Sequence, residues 1–208
     1  PAATVLLVRD SKEEGVEVFL VERASKANFG GAFVFPGGKV DPEDGLDHME
    51  IITTGASDKE LSNILGEDKG GLAYWVACIR ECFEEAGILI AYREDGSPFD
   101  PYDSEERERF VDYRNRLNAG EAVLENMCEE ENLTLATDRL AYLAHWITPK
   151  IEKRRYTTRF FVAISPAGQE GFHDGSESVN SLWIKPEDAL QQQKEGKLLL
   201  IMPTIKNL

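Results

Sequence analysis

The run Arg80-Glu81-Cys82-Phe83-Glu84-Glu85-Ala86-Gly87-Ile88 holds the densest chemistry in the chain. On an α-helix, at about 100° per residue, Glu81, Glu84 and Glu85 fall on one side. Three carboxylates aimed at one place suit a hard cation such as Mg²⁺, which keeps waters and shares its shell with substrate phosphates. Arg80, next to Glu81 and four residues before Glu84, is placed to hold a carboxylate in orientation. Glu-rich helix faces are commonly just solvated. The upstream Phe35-Pro36-Gly37-Gly38 shifts that balance, because a tight glycine turn can bring a backbone carbonyl to a metal.

These groups need a scaffold. Leu72, Trp75, Val76, Ile79, Phe83 and Ala86 recur at helical spacing, and Gly87 stands where a C-terminal cap belongs. The stripe through Trp75, Ile79 and Phe83 docks the helix roughly opposite the glutamates. Residues 3–8 and 16–22, around Asp10–Gly15, predict a hairpin, and Phe33-Val34-Phe35 a short buried strand stopped by Pro36. Residues 45–71 are polar and Gly-rich, with a short helix near Asp58–Leu65, and read as an inserted excursion. Residues 104–118 and 121–130 predict two helices whose Glu and Arg content suits a solvated outer face. Strands follow at Leu140–Ile147, Tyr156–Ile164 and Ser181–Ile184, then a helix over Pro186–Gln193 with Pro186 in its first turn. This order fits an α/β layered domain.

Composition narrows the partners. The 208 residues are 42% hydrophobic and 29% charged, with a formal net charge of −15, which disfavours nucleic-acid binding. An acidic protein that handles phosphates needs a divalent cation to mask like-charge repulsion. No apolar run approaches the ~18 residues needed to span a bilayer, and no secretory signal is visible. Cys78, Cys82 and Cys128 are expected to be reduced, mostly buried thiols, and the location cytoplasmic.

The run from Arg80 resembles the second half of the Nudix signature, Arg-Glu-U-X-Glu-Glu-X-Gly-U with U apolar, at every fixed position. The first half, Gly, five residues and Glu, is met by Gly38 and then by Asp44 in place of Glu. Between Asp44 and Arg80 stand 35 residues where the signature has seven, so about 28 are inserted. The chain is similar over nearly its whole length to the Nudix coenzyme A diphosphatases with an interrupted box, the peroxisomal type and its bacterial relatives. The matching stretches are 29–41, 80–89, Trp146–Pro149, Arg155–Phe161 and Asp174–Glu177 leading to Trp183.

The resemblance implies a Nudix α/β/α sandwich with a mixed sheet. It implies one domain over 1–208, with an insertion at 45–71 and a helical insertion at about 103–131. It implies Mg²⁺ or Mn²⁺ held by Glu81, Glu84, Glu85 and the carbonyl of Gly38. The expected reaction is hydrolysis of a nucleoside diphosphate linked to another group, with CoA or acyl-CoA as substrate. The products would be 3′,5′-ADP and (acyl-)4′-phosphopantetheine. Alternatives are a pyrophosphatase for ADP-ribose, NADH or a nucleotide sugar, and a catalytically weak ligand-binding regulator. The shorter Asp44 is expected to loosen the contact with the catalytic helix. An additional loop carboxylate, Glu177 or less favourably Glu152, joins Glu81 as candidate base. Arg23, Lys26 and Lys39 flank the glycine turn. Lys150, Lys153, Arg154, Arg155 and Arg159 form a basic cluster that would clamp a phosphate, the 3′-phosphate of CoA included. His145 and His173 have no partner spacing that makes a site, and Trp146 and Trp183 read as core residues at strand ends. The oligomeric state is left open, a homodimer among the options.

Overall fold

The computed structural model describes residues 1–26, 29–151 and 155–208. Candidate residues Glu152, Lys153 and Arg154 therefore lie outside the described residues.

Strand β1 (Ala2–Asp10) is central. It pairs in parallel with β8 (Thr157–Ile164), Ala3 opposite Arg159 and Leu7 opposite Ala163. Its far end forms the expected hairpin with β2 (Val16–Arg23), closed by the Ser11 amide on the Gly15 carbonyl. Strands β1 and β2 then diverge, and the chain from β3 (Phe33–Val34) to β4 (Gly37–Lys39) fills the fork. Strand β3 pairs with β2, and β4 with residues 2–4 of β1. On the outer edges, β7 (Ala141–Ile147) pairs with β8 and β9 (Ser178–Ile184) with β2. The result is a mixed seven-stranded sheet.

Alternation along the strands separates two cores. Ala3, Val5, Leu7, Phe19, Val21 and Phe161 face helix α2 (Leu72–Ala86), whose Trp75, Ile79 and Phe83 are buried as predicted. Leu6, Val18, Leu20, Phe33 and Phe160 face the other way, against Ala189 of α5 (Pro186–Lys194) and Leu198 and Leu200 beyond it. This is the expected α/β/α sandwich. A C-terminal helix α6 (Met202–Asn207) and a separate pair of strands, β5 (Ala91–Arg93) with β6 (Leu133–Leu135), carry no clear pattern in the sequence.

The 45–71 stretch is more than an excursion. After the 3₁₀ turn Pro42–Gly45 that leads into it, it forms a second 3₁₀ turn, Asp47–Ile52, then α1 (Asp58–Leu65) at the predicted place. Met49, Ile52, Leu61 and Leu65 enter the α2-side core. A capping box of Ser57 and Glu60 starts α1, and the Asp58 carboxylate then accepts from the amides of Gly70 and Leu72. The insertion thus returns to cap the first turn of α2, where an anion complements the helix dipole. Helices α3 (Ser104–Asn118) and α4 (Leu124–Glu130) also differ from a purely solvated face. Phe110, Tyr113, Leu117, Leu124 and Met127 are buried against the same core. All three cysteines are free and buried, as expected. Among the described residues no helix is long and apolar enough to cross a membrane.

Candidate active site

Strand β4 lies between β1 and helix α2, and it presents Gly37 to the first and Gly38 to the second. A Cβ on Gly37 would come within 2.4 Å of the Ala3 carbonyl oxygen, and one on Gly38 within 2.4 Å of a Glu81 carboxylate oxygen. Gly37 has φ +154°, and its amide donates to Glu85 Oε2 at 2.8 Å. The glycine turn and the glutamate run are therefore one site, brought together by the wedge between β1 and β2.

Arg80 is the hub of the charges. Its Nε and Nη2 donate to the two oxygens of Asp44 at 2.8 and 2.9 Å, and its Nη1 to Glu81 and Glu84 at 3.1 and 2.9 Å. Nη2 also donates to the Lys39 carbonyl at 2.8 Å, and Asp41 stands 3.4 Å away. Asp44 is only 2% exposed. The expected loosening by Asp in place of Glu is thus corrected. The 3₁₀ turn carries Asp44 right up to α2, so the short side chain reaches both arms of the guanidinium. Burial works against charge on Arg80, but Asp44, Glu81 and Glu84 outweigh it and keep the group protonated.

The same burial acts on the carboxylates. Desolvation pushes Glu85 up to about 8, with Glu81 and Glu177 adding repulsion and the Gly37 amide and Arg23 opposing. Desolvation likewise takes Glu81 up to about 7 and raises Glu84, and Arg80 opposes both shifts. Glu81 and Glu84 turn to Arg80 while Glu85 turns to Gly37. Among the described residues no three His, Cys, Asp or Glu side chains are already gathered as a metal shell.

The family model for the NUDT19 Nudix domain matches residues 49–208, more than half of the chain. The chain belongs to that Nudix family. The acyl-coenzyme A diphosphatase NUDT19 of Xenopus laevis is 27% identical over 221 residues, covering 90% of this chain and 57% of that protein. The Homo sapiens protein of the same name is 24% identical, covering 94% of this chain and 60% of its own length. The chain thus spans somewhat over half the length of the curated relatives it matches. The crystal structure of a Nudix hydrolase from Alicyclobacillus acidocaldarius superposes with a TM-score of 0.78 at 27% identity, covering 98% of this chain and 86% of that one. The glycine turn and Asp44 lie upstream of the family-model match, yet the fold joins them to the Nudix helix.

Other candidates take varied places. Glu177 is exposed in the loop before β9, and its carboxylate is near enough to raise Glu85. The loop is braced by Asp174, which accepts from the amides of Ser176, Glu177 and Ser178 at 3.2, 2.9 and 2.7 Å. Against burial, the Ser176 hydroxyl, which also donates to Asp174, and then these amides hold the Asp174 carboxyl below its ordinary range. The Glu177 carbonyl accepts from Ala24, next to Arg23 at the end of β2. Lys39 is exposed at the end of β4, and exposed Arg155 donates to the Thr148 carbonyl at 3.2 Å. Arg159 departs from the exposed cluster predicted for it. It is 4% exposed, with Nη1 on the Leu65 carbonyl and Tyr142 hydroxyl and Nη2 on Glu67. It ties the end of α1 to β8. His145 and His173 pair with Thr157 and Ser181. Trp183 lies tilted against Phe19 beneath Arg9, a core-edge position.

Sequence reasoning missed Arg114 on α3, which binds the carbonyls of Glu84 and Glu85. A signal was present: Phe110, Tyr113, Arg114 and Leu117 follow the i, i+3, i+4, i+7 spacing of a buried stripe, with one charge inside it.

Proposed function

We propose that this chain is one Nudix domain, interrupted at 45–71, that hydrolyses the diphosphate of CoA or acyl-CoA with Mg²⁺ or Mn²⁺. The carrying observation is the buried junction of Gly37 and Gly38 with Glu81 and Glu85, orientated by Arg80. The name of the NUDT19 relatives supports the choice of substrate. A donor set of carboxylates and the Gly38 carbonyl fits a hard divalent cation. Carboxyls raised to about 7 and 8 by burial are groups that such a charge would return to the ionised state. Glu81, Glu84, Glu85 and the Gly38 carbonyl would hold the cation, which supplies charge neutralisation at the diphosphate and acidifies a water.

The chain's own residues do the rest. Arg80 fixes the directions of Glu81 and Glu84, and the Gly37 amide fixes Glu85. A water attacks one phosphorus in line, the bridging P–O bond breaks, and the water's proton passes to a carboxylate oxygen of Glu81 or Glu177. Arg23, Lys39 and Arg155 supply positive charge for substrate phosphates. Arg159 is left out of that clamp because both its terminal nitrogens are committed.

The test is a hydrolysis panel with Mg²⁺: CoA, acyl-CoAs, dephospho-CoA, ADP-ribose, NADH and a nucleotide sugar. CoA or an acyl-CoA is expected to have the highest kcat/KM. If Arg155 reads the 3′-phosphate, Arg155→Ala should narrow the preference for CoA over dephospho-CoA. ADP-ribose winning the panel overturns the CoA reading, and tight binding without turnover favours a regulator.

The base assignment has its own test. Glu177→Gln is expected to lower kcat strongly while KM moves little, because the lost step belongs to the transition state. The acidic limb of the pH–rate profile should flatten. Asp174→Ala, which unbraces the loop, should move kcat the same way by less. If Glu177→Gln changes only the Mg²⁺ requirement, the residue holds metal instead. No change at all leaves Glu81 or Glu152 as the next base to test.

A further inference from the structure

Arg114 is 5% exposed, and among the described residues its hydrogen-bond partners are all main-chain carbonyls. Nε donates to Glu84 O at 2.9 Å, and Nη2 to Glu85 O at 3.0 Å and Phe172 O at 2.8 Å. The guanidinium lies 4.6 Å from the Phe172 ring centroid, and the Phe172 amide donates to Ala86 O. Burial disfavours the charge and lowers its pKa, with Asp174 opposing. A cation taken out of water needs a reason. Helix α2 has no basic residue in its own last turn, and its final carbonyls form the negative end of the helix dipole. Arg114 supplies that cation from another element. Gly87, at φ +68°, leaves the room, since a Cβ there would come 2.9 Å from Nη1.

We propose that Arg114 is a positioning residue for the reaction. It grips the carbonyls of Glu84 and Glu85, two of the residues whose side chains enter the site, and ties to them the loop that carries Glu177. Helix α3 thereby sets the angle of the carboxylates on α2. The inference rests on the reading that Glu85 belongs to the reaction site. Without Arg114, the Glu85 and Phe172 carbonyls lose this donor and the Glu84 carbonyl keeps only Asn118 Nδ2 at 3.4 Å, so the last turn of α2 and the 172–177 loop lose their shared fixed point. Displacements of this kind cost about 10–100-fold in metal affinity or rate, as losses of orientating partners do.

The test compares Arg114→Met, Arg114→Lys and a control, Arg93→Met, which removes another anchor of α3, the Arg93–Glu106 pair, away from α2. Three readouts are needed: Mn²⁺ binding by electron paramagnetic resonance, amide hydrogen exchange at residues 84–88, and kcat and KM with CoA. Arg114→Met should weaken Mn²⁺ binding by about 10-fold and lower kcat by about 10–100-fold, with KM within about 3-fold. Exchange at 84–88 should quicken. Arg114→Lys, with charge but no fork, should fall between, and Arg93→Met should change melting temperature only. Wild-type kcat and Mn²⁺ affinity in Arg114→Met, or equal losses in Arg93→Met, overturn the proposal. If Arg114→Met does not fold, wild-type behaviour of Arg114→Lys overturns it instead. A Glu85→Gln variant with full turnover overturns the site reading itself, whatever Arg114 does.

Discussion

Glu85→Gln is expected to lower kcat by at least about 10²-fold, the loss typical of one positioned catalytic group. The same change should raise the melting temperature of the metal-free protein at pH 8. Glutamine keeps an oxygen to accept from the Gly37 amide, so the docking of β4 on α2 survives. What disappears is the cost of a buried carboxylate. Glu85 ionises near 4.5 in the unfolded chain and near 8 in the folded one, chiefly because burial strips its water. Between those values the folded protein holds a proton that the unfolded chain has released. The stability tied to Glu85 is therefore fully present below about pH 4.5 and is lost as pH rises through about 8. Glu81, raised to about 7, acts in the same direction. A tenfold difference in proton affinity between folded and unfolded chain corresponds to ~1.4 kcal/mol at most, and each kcal/mol to about 2–4 °C in a chain of this size. Calorimetry in chelator should then show the wild type melting lower at pH 8 than at pH 6. Glu85→Gln should melt on the order of 5 °C higher than wild type at pH 8 and converge with it near pH 5. Divalent cation should reverse the wild-type trend. A flat melting temperature from pH 5 to 8 would show that Glu85 is not held in this raised state.

Arg80→Met should be the most destabilising single change at the site. It leaves Asp44, 2% exposed, without its cation, and leaves Glu81 and Glu84 facing each other. Removing one partner of a buried ion pair costs about 3–5 kcal/mol, because the remaining charge stays desolvated. Urea unfolding should report a loss of that size, and activity should vanish even where the variant is folded. Arg80→Lys should recover only part, since an ammonium cannot span both Asp44 oxygens and the Lys39 carbonyl. The double variant Asp44→Asn/Arg80→Met should be less unstable than the sum of its parts, because the stranded charge is removed. A loss below about 1 kcal/mol in Arg80→Met would mean that water reaches Asp44 and the hub is not buried.

Asp44 also explains how a box interrupted by some 28 residues keeps its geometry. The insertion leaves after Asp44 has docked on Arg80 and returns with Asp58 capping α2 at Leu72. Both ends are tied to the same helix, so the intervening chain is free in length but not in position. Its apolar residues, Leu61 and Leu65, then extend the core on the α2 side, and Arg159 holds its exit from below.

What was legible in the chain was what neighbours along it decide. Helical phase put Glu81, Glu84 and Glu85 together, the stripe from Leu72 to Ala86 and the stop at Gly87 bounded the helix, and alternation marked the strands of an α/β layered fold. Such signals need only a few consecutive residues, because helix and strand periods are short. Partners distant in sequence left no periodic trace, and only the glycine turn and the resemblance to the Nudix box joined residues 37–44 to the helix. Gly37 meets Glu85 across 48 positions, Asp44 meets Arg80 across 36, and Arg159 meets Leu65 across 94. Whether Arg159 clamps substrate or anchors the core depends on the face its strand presents, and parallel pairing with β1 turns it inward over Tyr74. Arg114 looked like one more charge on a charged helix until α3 was laid against the end of α2. Local periodicity names the groups that can do chemistry, but only packing, by removing water and bringing distant partners within hydrogen-bond reach, decides which charges are tuned for it.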